Sequence, residues 1–256
     1  MNIIICIPAR YESTRLPGKP LMKINGKTII QHVYEKALEL KKKYNVYDLV
    51  ILTDNKLIEK EVESFGGIGI IIKEQCLNGT DRIIHYLKNY YIRQNIPITN
   101  KVIVNIQGDE PFINLENISK AIDNYINKKD DNIVCSTIHH KTRDVDTIKL
   151  KSRGKLVLDK NNNIMYCSRN VIPSNKNNNV VPDIDYYIHI GIFVFDANYL
   201  IKHYYNNNTR LQLIEDIEWM KIMEQGFKIN SVEVKESERG VDTIEDYNYL
   251  VNKYSN

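Results

Sequence analysis

Residues 2–21 read NIIICIPARYESTRLPGKPL, and this stretch decides the fold. Ile3, Ile4, Ile5, Cys6 and Ile7 form a continuous apolar run, the pattern of a strand buried on both faces of a parallel sheet. Pro8 has no N–H to give to a ladder and is expected to end the strand. A polar loop follows that carries Arg10, Arg15 and Lys19 and is closed by Pro17, Gly18 and Pro20. Cations leaving the carboxyl end of a central strand stand where an open α/β sheet takes anionic ligands. The prolines reduce the ordering entropy lost when a ligand arrives. Backbone N–H groups around Gly18 are expected to add neutral donors to the same anion. An exposed basic loop is the plain alternative; strand context and stiffening together favour phosphate.

Working outward, periodicity predicts a helix over 28–44, a strand over 48–54, a helix over 56–65 stopped by Gly66-Gly67, and a strand over 68–73. This alternation argues for an α/β fold, a Rossmann-like, mostly parallel central sheet flanked by helices. The pattern continues with a helix over 83–91, a strand over 101–106, a helix over 115–126 and a strand over 133–138. From about residue 143 the style changes. Residues 155–168 read as a β-hairpin with an Asn-rich turn, inserted as a lid or an oligomer contact. A strand over 189–195 and an amphipathic helix over 209–225 follow, the helix with Leu213, Ile217 and Met220 inward and Gly226 as its stop. The 256 residues suit a single domain, 1–256, with the hairpin subregion at about 143–200.

Composition excludes several classes. A net charge of +3, a pI near 8.4 and no long basic tract argue against a nucleic-acid binder. No apolar run is long enough for a membrane span or a signal peptide. Cys6, Cys76, Cys135 and Cys167 are far apart, which reads as free thiols in a reducing compartment, so a cytoplasmic chain is expected.

Several residues carry candidate chemistry. Gly79, Thr80 and Arg82 precede a helix, as ordinary caps or as an anion site. Asp109, at the tip of a buried strand beside Gly108, suits Mg²⁺ facing phosphates; a tight turn is the plain reading. His139 and His140 point to opposite faces of a strand and cannot share one metal ion. Arg169 offers a planar fork for a carboxylate. His189 stands at a strand entrance, where a satisfied structural role is the commoner one. Glu215 and Glu218, three apart, would share one side of the 209–225 helix. Asp242 before the last helix is an ordinary N-cap by position.

RYESTRLPGKPL, taken with QGDEP at 107–111, SRNVIP at 168–173, HIGIF at 189–193 and GVDT at 240–243, resembles the sugar-activating cytidylyltransferases. Within them it is similar to the branch acting on 3-deoxy-manno-octulosonate (KDO). The likeness runs from Ile3 to about Asp246 and implies a fold of the nucleotide-diphospho-sugar transferase type. It implies transfer of CMP from CTP to the anomeric C2 hydroxyl of KDO, with release of pyrophosphate, for lipopolysaccharide or capsule synthesis, by a homodimer. It assigns Ala9, Arg10, Arg15, Lys19, Gly79, Thr80, Arg82 and Gln107 to the nucleotide, with Arg10, Lys19 and Asp109 catalytic. Asp109 and Asp242 become the Mg²⁺ ligands, and Gln107, Arg169, His189, Glu215 and Glu218 the sugar contacts.

Asn78 replaces the family's serine, and Gln212, Phe193, Trp219 and Lys221 replace its Glu, Tyr, Gln and Arg. Phe193 and Trp219 among them motivate an alternative acidic sugar, 8-amino-KDO or a nonulosonate. A glycosyltransferase would need its Asp-x-Asp metal motif, met only as Asp183-Ile184-Asp185 in a polar loop away from any strand end. A silent nucleotide-binding protein would not need two metal-binding carboxylates.

Overall fold

The computed structural model describes residues 1–12, 15–128, 130–204, 208–235 and 238–254; Ser13 and Thr14 of the basic loop lie outside them. The strands are β1 (Asn2–Ala9), β2 (Lys23–Ile24), β3 (Lys27–Thr28), β4 (Val46–Thr53), β5 (Gly69–Ile71), β6 (Lys101–Ile106), β7 (Ile133–Thr142), β8 (Lys155–Leu158), β9 (Ile164–Ser168), β10 (Tyr186–Asp196) and β11 (Lys228–Glu233). The helices are α1 (Ile29–Glu39), α2 (Lys56–Ser64), α3 (Gly79–Leu87), α4 (Leu115–Ile126), α5 (Val145–Lys149), α6 (Ala197–Tyr199), α7 (Arg210–Glu215), α8 (Met220–Glu224) and α9 (Ile244–Tyr254). The chain divides into two compact units: Met1–Glu116 with Asp196–Ile201 and Ser237–Asn256, and Asn117–Phe195 with Lys202–Glu236.

In the first unit β1 pairs in parallel with β4 on one side and β6 on the other, and β4 pairs in parallel with β5. The α/β expectation holds here. Ile3 to Ile7 are at most 2% exposed, which makes β1 the floor of the core; each buried isoleucine contributes roughly 2 kcal/mol. α1 starts where Thr28 Oγ1 accepts the Gln31 N–H, and it buries Ile29, Ile30, Val33 and Ala37. α2 is capped by Asn55, whose Oδ1 accepts the Leu57 N–H, and Gly66 follows it with a positive φ.

Two expectations change. Pro8 does not end β1: it pairs with Leu52, and Ala9 pairs with Thr53. The ladder to β6 stops at Cys6–Asn105. The Pro8 carbonyl points at Gly108, so the missing N–H falls on the side where no partner strand remains. The helix expected over 83–91 begins earlier, because Asn78 Oδ1 accepts the Asp81 N–H and draws Gly79 and Thr80 into the first turn.

In the second unit β11 runs parallel to β7, β10 antiparallel to β7, and β8 pairs antiparallel with both β10 and β9, the hairpin read from the sequence. The register of β10 on β7 slips between Ile190 and Phe193, a bulge opposite Thr137 and Ile138. His139 and His140 are both buried, and His139 Nδ1 lies 2.7 Å from Ser231 Oγ, a structural role. Burial lowers the His139 pKa to about 4.

The single helix expected over 209–225 is broken. α7 stops at Glu215, where Asp216 turns left-handed (φ 52°), and α8 begins at Met220. Thr209 and Gln212 cap the start of α7, and the Glu224 carboxylate accepts the Leu211 and Gln212 N–H groups, folding α8 back on α7. Ile217 and Met220 are buried as expected; Leu213 is exposed. Cys6, Cys135 and Cys167 are buried, Cys76 is partly so, and all four are free. Among the described residues no helix is long and apolar enough to cross a membrane.

Candidate active site

The basic loop is drawn into a fixed shape by its own backbone. The Gly18 N–H donates to the Tyr11 carbonyl at 2.9 Å, and Gly18 takes φ 69°, a left-handed conformation that favours glycine. A 3₁₀ turn, Lys19–Leu21, follows. The N–H of Gly18 is therefore committed inside the loop, and so is that of Lys19, which donates to Leu16; neither is the anion donor expected from the sequence. The rigid turn instead buries Lys19 and aims its ammonium.

Lys19 Nζ lies 2.6 Å from Asp109 Oδ2 and 3.6 Å from Asp242 Oδ1, and Arg15 Nη2 lies 3.2 Å from the same Asp242 oxygen. Two acids far apart in the chain thus converge on one cation beside the N-terminal loop. The Lys19–Asp109 bond is largely shielded and contributes about 2 kcal/mol. The Arg15–Asp242 pair is half exposed on both sides and contributes at most about 1 kcal/mol.

Backbone contacts enforce the convergence. The Val241 N–H donates to the Asp109 carbonyl at 2.8 Å. Ile24, Ile29, Val241 and Leu250 form one buried cluster, with Leu16, Met22, Phe112 and Tyr254 packed on it, so an apolar plug joins the basic loop, the 107–112 turn and α9. A Cβ on Gly108 would come within 2.8 Å of the Pro8 carbonyl. The glycine is needed for the close approach of this turn to β1, and not, as its sequence suggests, for that of a ligand. Asp242 does not cap α9. Thr243 and Asp246 satisfy that terminus reciprocally, the Asp246 N–H donating to Thr243 Oγ1 and the Thr243 N–H to Asp246 Oδ2. The Asp242 carboxylate therefore faces the cations.

Other nucleotide candidates gather in the same unit. Ala9 is buried at the end of β1 and Arg10 is exposed just beyond it. Gly79 sits against the Pro8 ring, Thr80 is fully buried, and Gln107 Nε2 donates to Asn105 Oδ1 at 3.3 Å. Arg82 is buried and bonds Asp54 Oδ2 at 3.0 Å, while Asp54 Oδ1 accepts the Tyr11 N–H at 3.0 Å. Asp54 thereby ties the basic loop to the start of α3. Sequence reading missed this role, although an acid at the carboxyl end of a buried strand was its signal.

Arg169, His189, Glu215 and Glu218 belong to the second unit. Arg169 Nη2 donates to the Asp216 carbonyl at 2.9 Å and Nη1 to the Lys151 carbonyl at 3.3 Å. Lys155, fully buried, holds the carbonyls of Leu150, Arg153 and Arg169 through its ammonium, and burial lowers its pKa. Glu215 accepts from Tyr166 Oη at 3.0 Å and Ser168 Oγ at 2.8 Å, which anchors α7 to the hairpin. Glu218 falls in the turn between α7 and α8, so the expected helical spacing with Glu215 is lost. The His189 ring packs against Phe193 and Trp219, each 5.1 Å away between centroids and in contact with one another, and burial pulls its pKa down to about 3. Trp219 is a buried neighbour of the imidazole, 5% exposed. Among the described residues no cluster of three or more metal-ligating side chains occurs.

Comparison with known proteins identifies the relatives of this chain. Residues 4–230 match the family model described as cytidylyltransferase. A protein of Protochlamydia amoebophila named 3-deoxy-manno-octulosonate cytidylyltransferase is 39% identical over 245 residues, 96% of this chain and 91% of the relative. The mitochondrial protein of that name from Arabidopsis thaliana is 35% identical, over 96% of this chain and 80% of the relative. A solved structure of CMP:2-keto-3-deoxy-manno-octonic acid synthetase complexed with CTP superposes with a TM-score of 0.87 at 29% identity, covering 100% of this chain and 99% of that one.

Proposed function

The chain belongs to the cytidylyltransferase family, and from that premise we propose that it transfers CMP from CTP to the anomeric C2 hydroxyl of KDO, releasing pyrophosphate. The observation that carries this reading is the meeting of Asp109 and Asp242 at Lys19 Nζ. Two hard oxygen donors held around one cationic centre suit a divalent ion, and Mg²⁺ in particular. When bound, such an ion lowers the pKa of the attacking hydroxyl and offsets phosphate charge.

The side chains supply the rest. Arg10, Arg15 and Lys19 hold the triphosphate, and they stabilise the charge that builds on pyrophosphate as the bond to the α-phosphorus breaks. Gly79, Thr80, Arg82, Ala9 and Gln107 frame the nucleotide. Arg169 takes the sugar carboxylate, which its planar fork can grip with two parallel hydrogen bonds. His189, Gln107, Glu215 and Glu218 orient its hydroxyls. A homodimer formed through the 143–200 region and a cytoplasmic place in lipopolysaccharide or capsule precursor synthesis draw on the same family likeness.

The test is an incubation of the purified chain with CTP, Mg²⁺ and KDO, read by CMP-KDO formation and pyrophosphate release. Omission of the metal is expected to stop turnover. Absence of product, or preferred turnover of 8-amino-KDO or a nonulosonate in a parallel panel, would overturn the assignment.

A further inference from the structure

Thr137 lies in β7, two residues before His139, which pairs with His189 of β10. Its Oγ1 is 2.8 Å from His189 Nε2 and 2.7 Å from the Ile192 carbonyl, in the bulge of β10. A carbonyl only accepts, so the single hydroxyl proton of Thr137 goes to Ile192. The short contact to His189 is then a hydrogen bond donated by Nε2–H to Thr137 Oγ1. Nδ1 must be the unprotonated nitrogen of a neutral ring, consistent with the low pKa that burial imposes. Phe193 and Trp219, which also contact each other, both pack on the ring, and the His189 N–H is fixed to the Gly154 carbonyl at 2.9 Å. Among the described residues no protein group bonds Nδ1, and the residue is only partly buried.

We propose that Thr137 is a positioning residue that locks His189 as the Nε2–H tautomer, so that Nδ1 presents a lone pair to a hydroxyl donor of the sugar. This rests on His189 being a sugar contact. A lone pair accepts from a hydroxyl and repels a carboxylate, so the arrangement sets which end of an acidic sugar faces His189. The carboxylate is directed away from it, to a cation such as Arg169. A site with a fixed acceptor discriminates strongly against an analogue that lacks the matching hydroxyl.

Nitrogen-15 NMR of the full-length labelled protein reads the tautomer directly. The wild type is expected to carry its proton on Nε2. Thr137→Val should release the preference toward Nδ1–H and raise the KM for the sugar about tenfold, with the KM for CTP unchanged. Thr137→Ser should restore both. A wild-type proton on Nδ1, or a Thr137→Val variant with an unaltered tautomer, overturns the proposal. The wild-type spectrum decides the tautomer even where a variant folds poorly. A shifted tautomer with unchanged sugar KM overturns it through the reading on which it rests, and identifies that reading as the failed part.

Discussion

The acid–cation cluster of the first unit is made of charged side chains that neutralise one another and stay partly open to solvent: Asp109 is one-third exposed, Asp242 and Arg15 about half. Around His189 in the second unit, the fixed groups are a neutral imidazole, a hydroxyl, a backbone carbonyl and two aromatic rings. The first arrangement can exchange partners when a charged ligand arrives, because the exposed Arg15–Asp242 pair costs little to open and a new ion partner can offset the loss of the shielded Lys19–Asp109 bond. The second cannot rearrange without breaking shielded hydrogen bonds, so it selects by shape and by donor pattern. On the proposed function, charge is handled where it is adjustable, and identity is read where it is rigid.

This contrast can be broken most directly at Asp109. Asp109→Asn is expected to reduce turnover by about a thousandfold or more, since several kcal/mol of transition-state stabilisation are lost. The fold should persist, because the backbone of that turn is held by Val241 and not by the carboxylate. Pyrophosphate release and thermal melting check the two halves; near-normal turnover would remove the proposed metal role. Lys19→Met should lower kcat/KM for CTP by about a hundredfold. It should also tighten Mn²⁺ binding to the nucleotide-free protein, measured by paramagnetic resonance, because the two acids lose their internal counter-ion. Unchanged Mn²⁺ affinity would show that Lys19 does not compete for that place.

In the second unit, Arg169→Lys should raise the KM for the sugar about tenfold and leave the KM for CTP alone, since a lysine cannot reproduce a bidentate fork. An equal rise in both would deny the separation of roles. A last effect concerns stability and not activity. His139 stays neutral in the folded chain down to about pH 4, whereas its ordinary pKa is 6.5. Between those values the unfolded chain binds more protons, so stability is lost as the pH falls through that window, by on the order of 3 kcal/mol. Urea unfolding across pH 7 to 4 reads the loss, and His139→Gln should reduce its slope while leaving the share of His189, whose pKa is also lowered.

What could be read in the sequence follows the same division. The basic loop, QGDEP and GVDT are contiguous, and each motif carries its own turn chemistry, so their residues were legible one by one. The parallel strands of the first unit were legible from their apolar runs; β11, parallel to β7, was not, because Asn230 and Ser231 interrupt its run. Thr137 was not, because a hydroxyl inside an apolar strand acquires meaning only from partners 52 and 55 residues away. The break at Asp216 was hidden for a similar reason: apolar spacing continues through it, while the Glu224 carboxylate that stabilises the fold-back is a partner no helical period reports. Pro8 misled because a strand can hold a proline once its neighbour on that side has ended.

The reciprocal Thr243–Asp246 pairing at the start of α9 separates two jobs that a lone aspartate would have to combine. The terminal helix is sealed without Asp242, so that acid can be neutralised without unravelling anything. Asp242→Asn should accordingly yield a well-behaved, inert protein that retains both substrates unreacted, a convenient trap for cocrystallising them side by side.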